Sequence, residues 1–270
     1  MTSTYNQLFG IFLISKNFSI FSGVEILREY LLFPGCAATS LVPHLADMWL
    51  RLLRRLLDKV DIYEVCCGLP LLLMGDVDGA AEWFDENLRQ ILEGKIVITG
   101  CPSCYRMLKQ HIVEKLGENP KYEVKHIVEV IHEKILSKNI GLHSRAKLKV
   151  TYHDPCELSR HMGITELPRE TIRKISGISY VEMDQNRERA TCCGGGGLMR
   201  LLYPRVSQEI AITKIRREIL PLNVDAIVTA CPFCEYTLAE AIKSLNLEGK
   251  LRVFDIAELI LYVLGEDNGH

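Results

Sequence analysis

The chain has 270 residues, of which 48% are hydrophobic and 24% are charged, and its formal net charge at neutral pH is −2. This length and apolar content suffice for a buried core, in one large domain or in two of roughly 100–150 residues. This net charge shows no excess of basic residues of the kind that nucleic-acid-binding proteins use to contact phosphates. The ten cysteines are spread through long apolar periodic segments, whereas a secreted disulfide framework concentrates them in a small scaffold. Metal binding in a reducing cytosol, and hence a cytoplasmic protein, is therefore predicted.

Residues 1–28 are predicted to be an N-terminal extension. Its apolar run, residues 8–14, is too short to span a bilayer, which takes about 20 residues as a helix. No basic region precedes this run, as a signal peptide would require. We expect a leading helix, or a start codon assigned too early, and neither a signal peptide nor a membrane span.

Strands and helices are predicted to alternate along the rest of the chain. In the first half, strands are expected at 30–33, 62–65, 96–100 and 122–126, and helices at 41–60, 77–92 and 128–136. In the second half, strands are expected at 148–152, around 180–183, at 226–230 and at 251–255, and helices at 203–220 and 256–264. Such alternation predicts an α/β fold with parallel sheets and right-handed crossovers.

All ten cysteines belong to one five-cysteine pattern that occurs twice. The first copy comprises Cys36, Cys66, Cys67, Cys101 and Cys104, and the second comprises Cys156, Cys192, Cys193, Cys231 and Cys234. The gaps are 29 and 33 residues in the first copy and 35 and 37 in the second. Most of these cysteines follow a predicted strand, where α/β sheets bind ligands. We therefore predict two pseudo-repeated lobes, 29–136 and 148–265, joined by a linker at 137–147, with cysteine clusters at the carboxyl ends of the strands.

The cysteine count favours a polynuclear metal site. A C-x-x-C between a strand and a helix favours the thiolate and serves a redox dithiol, zinc or an iron–sulfur cluster. A redox dithiol has no use for three further cysteines, and structural zinc takes four ligands and leaves one thiol idle. Adjacent cysteines on extended backbone diverge, which suits a cluster in which each sulfur meets a different iron. Iron–sulfur binding is preferred, and zinc in one lobe is the alternative.

These motifs resemble the CCG domain of the heterodisulfide reductase family, as it occurs in the B-type and D-type subunits of that enzyme. Related proteins are the iron–sulfur subunits of lactate, glycolate and glycerol-3-phosphate dehydrogenases. The resemblance covers about 29–265 and rests on Pro34-Gly35-Cys36, Cys66-Cys67-Gly68-Leu69-Pro70, Tyr152-His153-Asp154-Pro155-Cys156 and Cys192-Cys193-Gly194-Gly195-Gly196-Gly197. It implies two noncubane 4Fe–4S clusters, each bound by the five cysteines of one copy. It also implies that the clusters face each other between the lobes, where a substrate disulfide is cleaved.

Two residues beside Cys156 are candidate proton donors. Disulfide reduction consumes protons as well as electrons, and His153 and Asp154 lie close enough in sequence to act as catalytic residues. The alternative is structural: Asp154 caps the turn before Pro155, and His153 packs at the end of a strand. The glycines at 194–197 are expected to let the backbone approach a cluster closely and donate N–H groups to it.

The sequence has neither a ferredoxin-type cysteine run nor a convincing dinucleotide-binding unit. We therefore expect electrons to be exchanged with a ferredoxin-like iron–sulfur subunit and a flavoprotein subunit, and membrane association only through such a partner. The preferred function is that of an iron–sulfur oxidoreductase subunit of heterodisulfide reductase type, with a small-molecule disulfide as the candidate substrate. The alternatives are an electron relay in a lactate- or glycolate-type flavoprotein dehydrogenase and a zinc-stapled structural subunit.

Overall fold

A computed structural model describes residues 29–137 and 141–265. The predicted N-terminal extension, 1–28, and its apolar run at 8–14 lie outside the described residues. Within the described ranges, no helix combines the length and the apolar content that crossing a bilayer requires.

The described chain contains two four-stranded parallel sheets of identical topology. In the first sheet the strands are β1 (Tyr30–Leu32), β2 (Val60–Ile62), β3 (Ile96–Thr99) and β4 (Glu123–His126), in the order β2-β1-β3-β4. In the second they are β5 (His143–Tyr152), β6 (Ser176–Tyr180), β7 (Ala226–Thr229) and β8 (Arg252–Asp255), in the order β6-β5-β7-β8. The prediction of two repeated α/β lobes with parallel sheets is confirmed.

Helices connect the strands in both lobes. In the first lobe the α-helices are α1 (Gly35–Leu41), α2 (His44–Leu56), α3 (Leu69–Leu73), α4 (Val77–Phe84), α5 (Gln90–Leu92), α6 (Pro102–Arg106), α7 (Ile112–Glu114) and α8 (Ile127–Ser137). In the second they are α9 (Glu166–Arg173), α10 (Met199–Leu202), α11 (Pro204–Lys214), α12 (Pro232–Ser244) and α13 (Ile256–Val263). Single π-helical turns occur at Asp85–Arg89, Met107–His111, Glu157–His161 and Ile215–Ile219, and 3₁₀ turns at Arg187–Arg189 and Leu220–Leu222.

One hydrophobic core contains residues of both lobes, and a second, smaller one lies within the second lobe. Helix α2 buries Leu45, Trp49 and Leu52 along one face, at the spacing of an amphipathic helix, and this face packs against α13 of the other lobe. At this boundary the indole Nε1 of Trp49 donates a hydrogen bond of 2.9 Å to Oδ1 of Asp255. The boundary between the lobes is thus a packed interior surface, and groups placed on it are held in fixed geometry.

Three strands differ from their predicted bounds by more than one residue. Strand β2 ends at Ile62 and β6 ends at Tyr180, because the chain then leaves the sheet to carry the Cys66–Cys67 and Cys192–Cys193 pairs beyond the strand ends. Strand β5 begins at His143, within the stretch predicted as linker. Its pairing with β6 shifts register between His143 and Leu148, and such an irregularity breaks the alternation by which a strand is recognised in sequence.

Candidate metal centre

The first five cysteines converge at the carboxyl edge of the first sheet. Cys36 lies in the first turn of α1, Cys66 and Cys67 lie in the loop after β2, and Cys101 and Cys104 begin α6. Side-chain contacts join neighbouring thiols in the order Cys36, Cys66, Cys67, Cys104, Cys101. We call these residues the first cysteine set.

The second five cysteines repeat this arrangement. Their contacts run in the order Cys156, Cys192, Cys193, Cys234, Cys231, position for position as in the first set. The Sγ atoms of Cys193 and Cys234 are 3.2 Å apart. Four of these cysteines are buried or partly buried, and Cys192 is exposed. This second cysteine set therefore meets solvent on one side.

In each set the first cysteine of the adjacent pair is strongly stabilised as a thiolate. Hydrogen bonds donated by the Cys36 and Cys67 thiols and by a backbone N–H lower the pKa of Cys66 to about 4. The equivalent bonds from Cys156 and Cys193 lower the pKa of Cys192 to about 2. Each set thus holds a thiolate among closely packed thiols, whose remaining protons a bound metal cation or cluster would displace.

Backbone groups approach the sulfurs closely. The N–H groups of Gly68, Gly194 and Gly195 donate to Cys66, Cys192 and Cys193, with N···Sγ distances of 3.5, 3.2 and 3.4 Å respectively. Such bonds stabilise thiolates and, in iron–sulfur proteins, tune the reduction potential.

Gly35 lies so close to the first cysteine set that no larger residue fits at its position. A Cβ on Gly35, whose φ is +73°, would lie 2.5 Å from Sγ of Cys104. The position therefore requires glycine for both its backbone conformation and its contact with sulfur. Five converging sulfurs, backbone donors and a glycine cradle together fit an iron–sulfur cluster.

Both sets lie beside the boundary between the lobes. Helix α6, which carries Cys104, packs against the π-turn Glu157–His161 that follows Cys156, and Arg106 and Glu157 form an ion pair of 3.0 Å there. Helix α12, which carries Cys234, packs against α1. The helix at each C-x-x-C thus contacts the first-cysteine segment of the other lobe.

His153 is buried against the second set. The residue is 1% exposed, and neither ring nitrogen has a hydrogen-bond partner among the described residues. One ring nitrogen and the sulfurs of Cys193 and Cys234 all lie within 4.8 Å of one another. Burial holds the pKa of His153 well below its usual value, so the ring is neutral and offers one N–H and one acceptor nitrogen.

Asp154 belongs to a buried ion pair. Arg169 donates from Nη1 and Nη2 to its two carboxylate oxygens at 2.7 and 2.6 Å, and the backbone N–H of Arg187 donates at 2.8 Å. The same guanidinium donates to Glu182. These contacts give Asp154 a structural partner, and a catalytic role for it stays a prediction. Sequence reasoning missed Arg169, since nothing in the helical pattern distinguishes it from a surface arginine.

Comparison with known families identifies the repeated unit. The model of the cysteine-rich domain named CCG matches residues 30–109 and 150–239, and each matched segment contains one complete cysteine set. The chain belongs to the CCG cysteine-rich domain family. The resemblance inferred from the cysteine motifs is thereby confirmed.

Several curated relatives are oxidoreductases or oxidoreductase subunits. The chain is 34% identical over 241 residues to the D subunit of the dihydromethanophenazine:CoB–CoM heterodisulfide reductase of Methanosarcina acetivorans, covering 86% of this chain and 58% of that protein. It is 32% identical to the B subunit of the CoM/CoB fumarate reductase of Methanothermobacter marburgensis, covering 87% and 46%. It is also 32% identical to the EtfAB:quinone oxidoreductase of Syntrophomonas wolfei, covering 86% and 34%.

This CCG protein therefore spans less than two thirds of the length of each of these relatives. The cysteine-rich domains and the iron–sulfur relatives support binding of iron–sulfur clusters and a redox role. They give no support to zinc at either cysteine set.

Proposed function

We propose that this CCG protein is the iron–sulfur subunit of a heterodisulfide-reductase-type redox complex and binds one noncubane 4Fe–4S cluster at each cysteine set. The observation that supports this most strongly is the convergence of all ten cysteines into two equivalent five-sulfur sets beside one lobe boundary. A tetrahedral zinc or an ordinary cubane takes four cysteine ligands. The fifth sulfur in each set therefore favours a larger ligand sphere.

The residues of the chain have separable tasks in this proposal. Bound clusters supply one-electron transfer, and the N–H groups of Gly68, Gly194 and Gly195 stabilise the negative charge on the sulfurs. Reducing one disulfide to two thiols consumes two electrons and two protons. Partner subunits, one ferredoxin-like and one a flavoprotein, provide the electrons. His153, close to the sulfurs of Cys193 and Cys234, is the candidate donor of the chain: its neutral ring would donate a hydrogen bond, and it would supply a proton only after becoming imidazolium, which negative charge on neighbouring sulfurs favours.

An electron relay without disulfide chemistry is the second candidate. The similarity to the EtfAB:quinone oxidoreductase favours this candidate, because that name describes electron transfer to a quinone. In this case the two clusters would connect a flavoprotein to the next carrier, and His153 would serve only to pack the site.

Metal content and single substitutions test the two-cluster arrangement. Protein purified without oxygen should carry about eight irons and eight sulfides, four per set. Cys66→Ser and Cys192→Ser form a matched pair, since both residues are first in an adjacent pair and both have a strongly lowered thiol pKa. Each variant should lose the signals of its own cluster and keep those of the other, measured by electron paramagnetic resonance and iron analysis.

Other metal contents would contradict this assignment. Two zincs and no iron would exclude the redox proposal, and one zinc with four irons would make one set structural. Equal loss of both clusters in either variant would replace two sites with one shared site.

Electron donors separate the two candidate functions. The isolated chain should accept electrons from reduced viologen and none from NADH. With a ferredoxin-like subunit added, cleavage of a disulfide supports the heterodisulfide reductase type. Turnover only beside a flavoprotein that oxidises a 2-hydroxy acid supports the relay.

A further inference from the structure

The two lobes differ at equivalent positions beside their C-x-x-C helices. In the first lobe, Tyr105 follows Cys104, and its ring packs edge-on against His126 at the end of β4, with centroids 5.7 Å apart. In the second lobe, Glu235 follows Cys234, and Asp255 ends β8. The repeat thus replaces an aromatic pair by two carboxyl groups, both buried, with 5% of Glu235 and 0% of Asp255 exposed.

A third carboxylate lies with these two. Glu258 accepts a hydrogen bond from the backbone N–H of Asp255 at 3.2 Å, as Glu129 accepts one from His126 at 2.7 Å in the first lobe. Both lobes therefore have a glutamate that accepts a hydrogen bond from the backbone at the start of the helix after the last strand. In the second lobe the capping Glu258 lies close to two further carboxyl groups, those of Glu235 and Asp255.

An imidazole from the first lobe completes the group. The Nε2 of His44, in the first turn of α2, lies 3.2 Å from Oε1 of Glu235. That nitrogen and one carboxylate oxygen each from Glu235 and Glu258 all lie within 4.8 Å of one another. The second oxygen of Glu235, Oε2, and Oδ2 of Asp255 are buried without a hydrogen-bond partner among the described residues. Unsatisfied buried carboxylate oxygens are costly unless a cation or a proton compensates them.

We propose that His44, Glu235 and Glu258 bind one divalent transition-metal ion that joins the two lobes. Ligand bonds of about 2.0–2.1 Å place neighbouring ligands of a tetrahedral ion about 3.3 Å apart, which the His44–Glu235 distance of 3.2 Å already satisfies. A movement of the Glu258 side chain closes the remaining gap. The His44 side chain is 36% exposed, so an ion can enter from solvent and keep a water ligand.

The ligand type separates this site from the cysteine sets. One imidazole with two carboxylates suits manganese, iron or zinc ions, and the site contains no thiolate. A bound cation would offset the cost of burying these two carboxylates close together.

Manganese is the probe for the test, because thiolates bind it poorly and its free ion has a six-line paramagnetic resonance signal. The full chain with its clusters loaded is stripped with a chelator and titrated with Mn²⁺. We expect one saturable Mn²⁺ per chain, with nitrogen coupling from His44 in the pulsed spectrum. Glu235→Gln and Glu258→Gln should weaken binding by about tenfold or more.

Glu129→Gln is the matched control, since it alters the same backbone cap in the lobe without the carboxyl cluster, and it should bind Mn²⁺ as the parent chain does. Zn²⁺ should displace Mn²⁺ and show only nitrogen and oxygen neighbours in its X-ray absorption spectrum. No saturable Mn²⁺ in the parent chain, or bound Mn²⁺ without nitrogen coupling, overturns the proposal even if the variants fail to fold. Equal weakening by Glu129→Gln would also overturn it.

Discussion

Replacing Arg169 by methionine should remove the charge that holds the buried Asp154 and the partly exposed Glu182 together in the second lobe. The side chain of Arg169 is completely buried. Its guanidinium donates to both oxygens of Asp154 at 2.7 and 2.6 Å and to both oxygens of Glu182 at 2.9 Å. The guanidinium carbon also lies 5.2 Å from the ring centroid of Tyr152. Methionine replaces the aliphatic stem of arginine and removes the charged guanidinium.

The expected loss of stability follows from burial. Removing one partner of a buried ion pair leaves an uncompensated charge and costs about 3–5 kcal/mol. In a chain of this size each kcal/mol lowers the melting temperature by about 2–4 °C, so a decrease of about 6–20 °C is expected. Because Asp154 lies two residues before Cys156, the second cysteine set should also lose metal before the first does.

Arg89→Met is the matched control. Arg89 likewise contacts two carboxylates, Asp85 at 2.5 Å and Glu118 at 2.7 Å, and lies 5.1 Å from the ring centroid of Phe84. Its side chain is 43% exposed, so its loss should cost about 1 kcal/mol or less. Thermal and urea unfolding of both variants measure the difference. Equal losses in the two variants would refute the argument that burial sets the cost.

Two further substitutions examine the cysteine sets. Gly35→Ala should release iron from the first set, because its Cβ would meet Sγ of Cys104 at 2.5 Å. Gly75→Ala is the control and should retain the iron, since Gly75 has a similar positive φ and a Cβ there would have nothing within 4 Å. Equal iron contents in the two variants would argue against a requirement for glycine at position 35. His153→Asn should keep the iron and lower disulfide turnover by about 100-fold if the imidazole donates a proton, and an unchanged rate across pH would assign His153 to packing.

The repeat made the fold and the cysteine sets predictable. Each short strand of a parallel sheet ends at the same edge, so cysteines that follow strands at repeated spacing must converge. Contacts between distant segments gave no such signal. His44 and Glu235 are separated by 191 residues, and Trp49 and Asp255 by 206. The local periodicity of a sequence carries no information about contacts between such distant residues. The burial of Arg169 also differs from the exposed position that its polarity would predict.

The lobes repeat in backbone and differ in interior chemistry. The N–H groups of Phe33 and His153 both donate to the neighbouring strand at 2.8 Å, to Ile98 and Val228 respectively, so the two residues occupy equivalent positions. Both side chains are buried, but Phe33 has no titratable group, whereas His153 carries an imidazole. Under the proposed function, protons are therefore supplied at the second set, and the first set transfers electrons alone. Accordingly, the rate of disulfide reduction should depend on His153, and electron transfer from viologen to the first cluster should proceed at the same rate with His153→Asn. A fall in that transfer rate would show that His153 supports the structure of both lobes and does not supply protons.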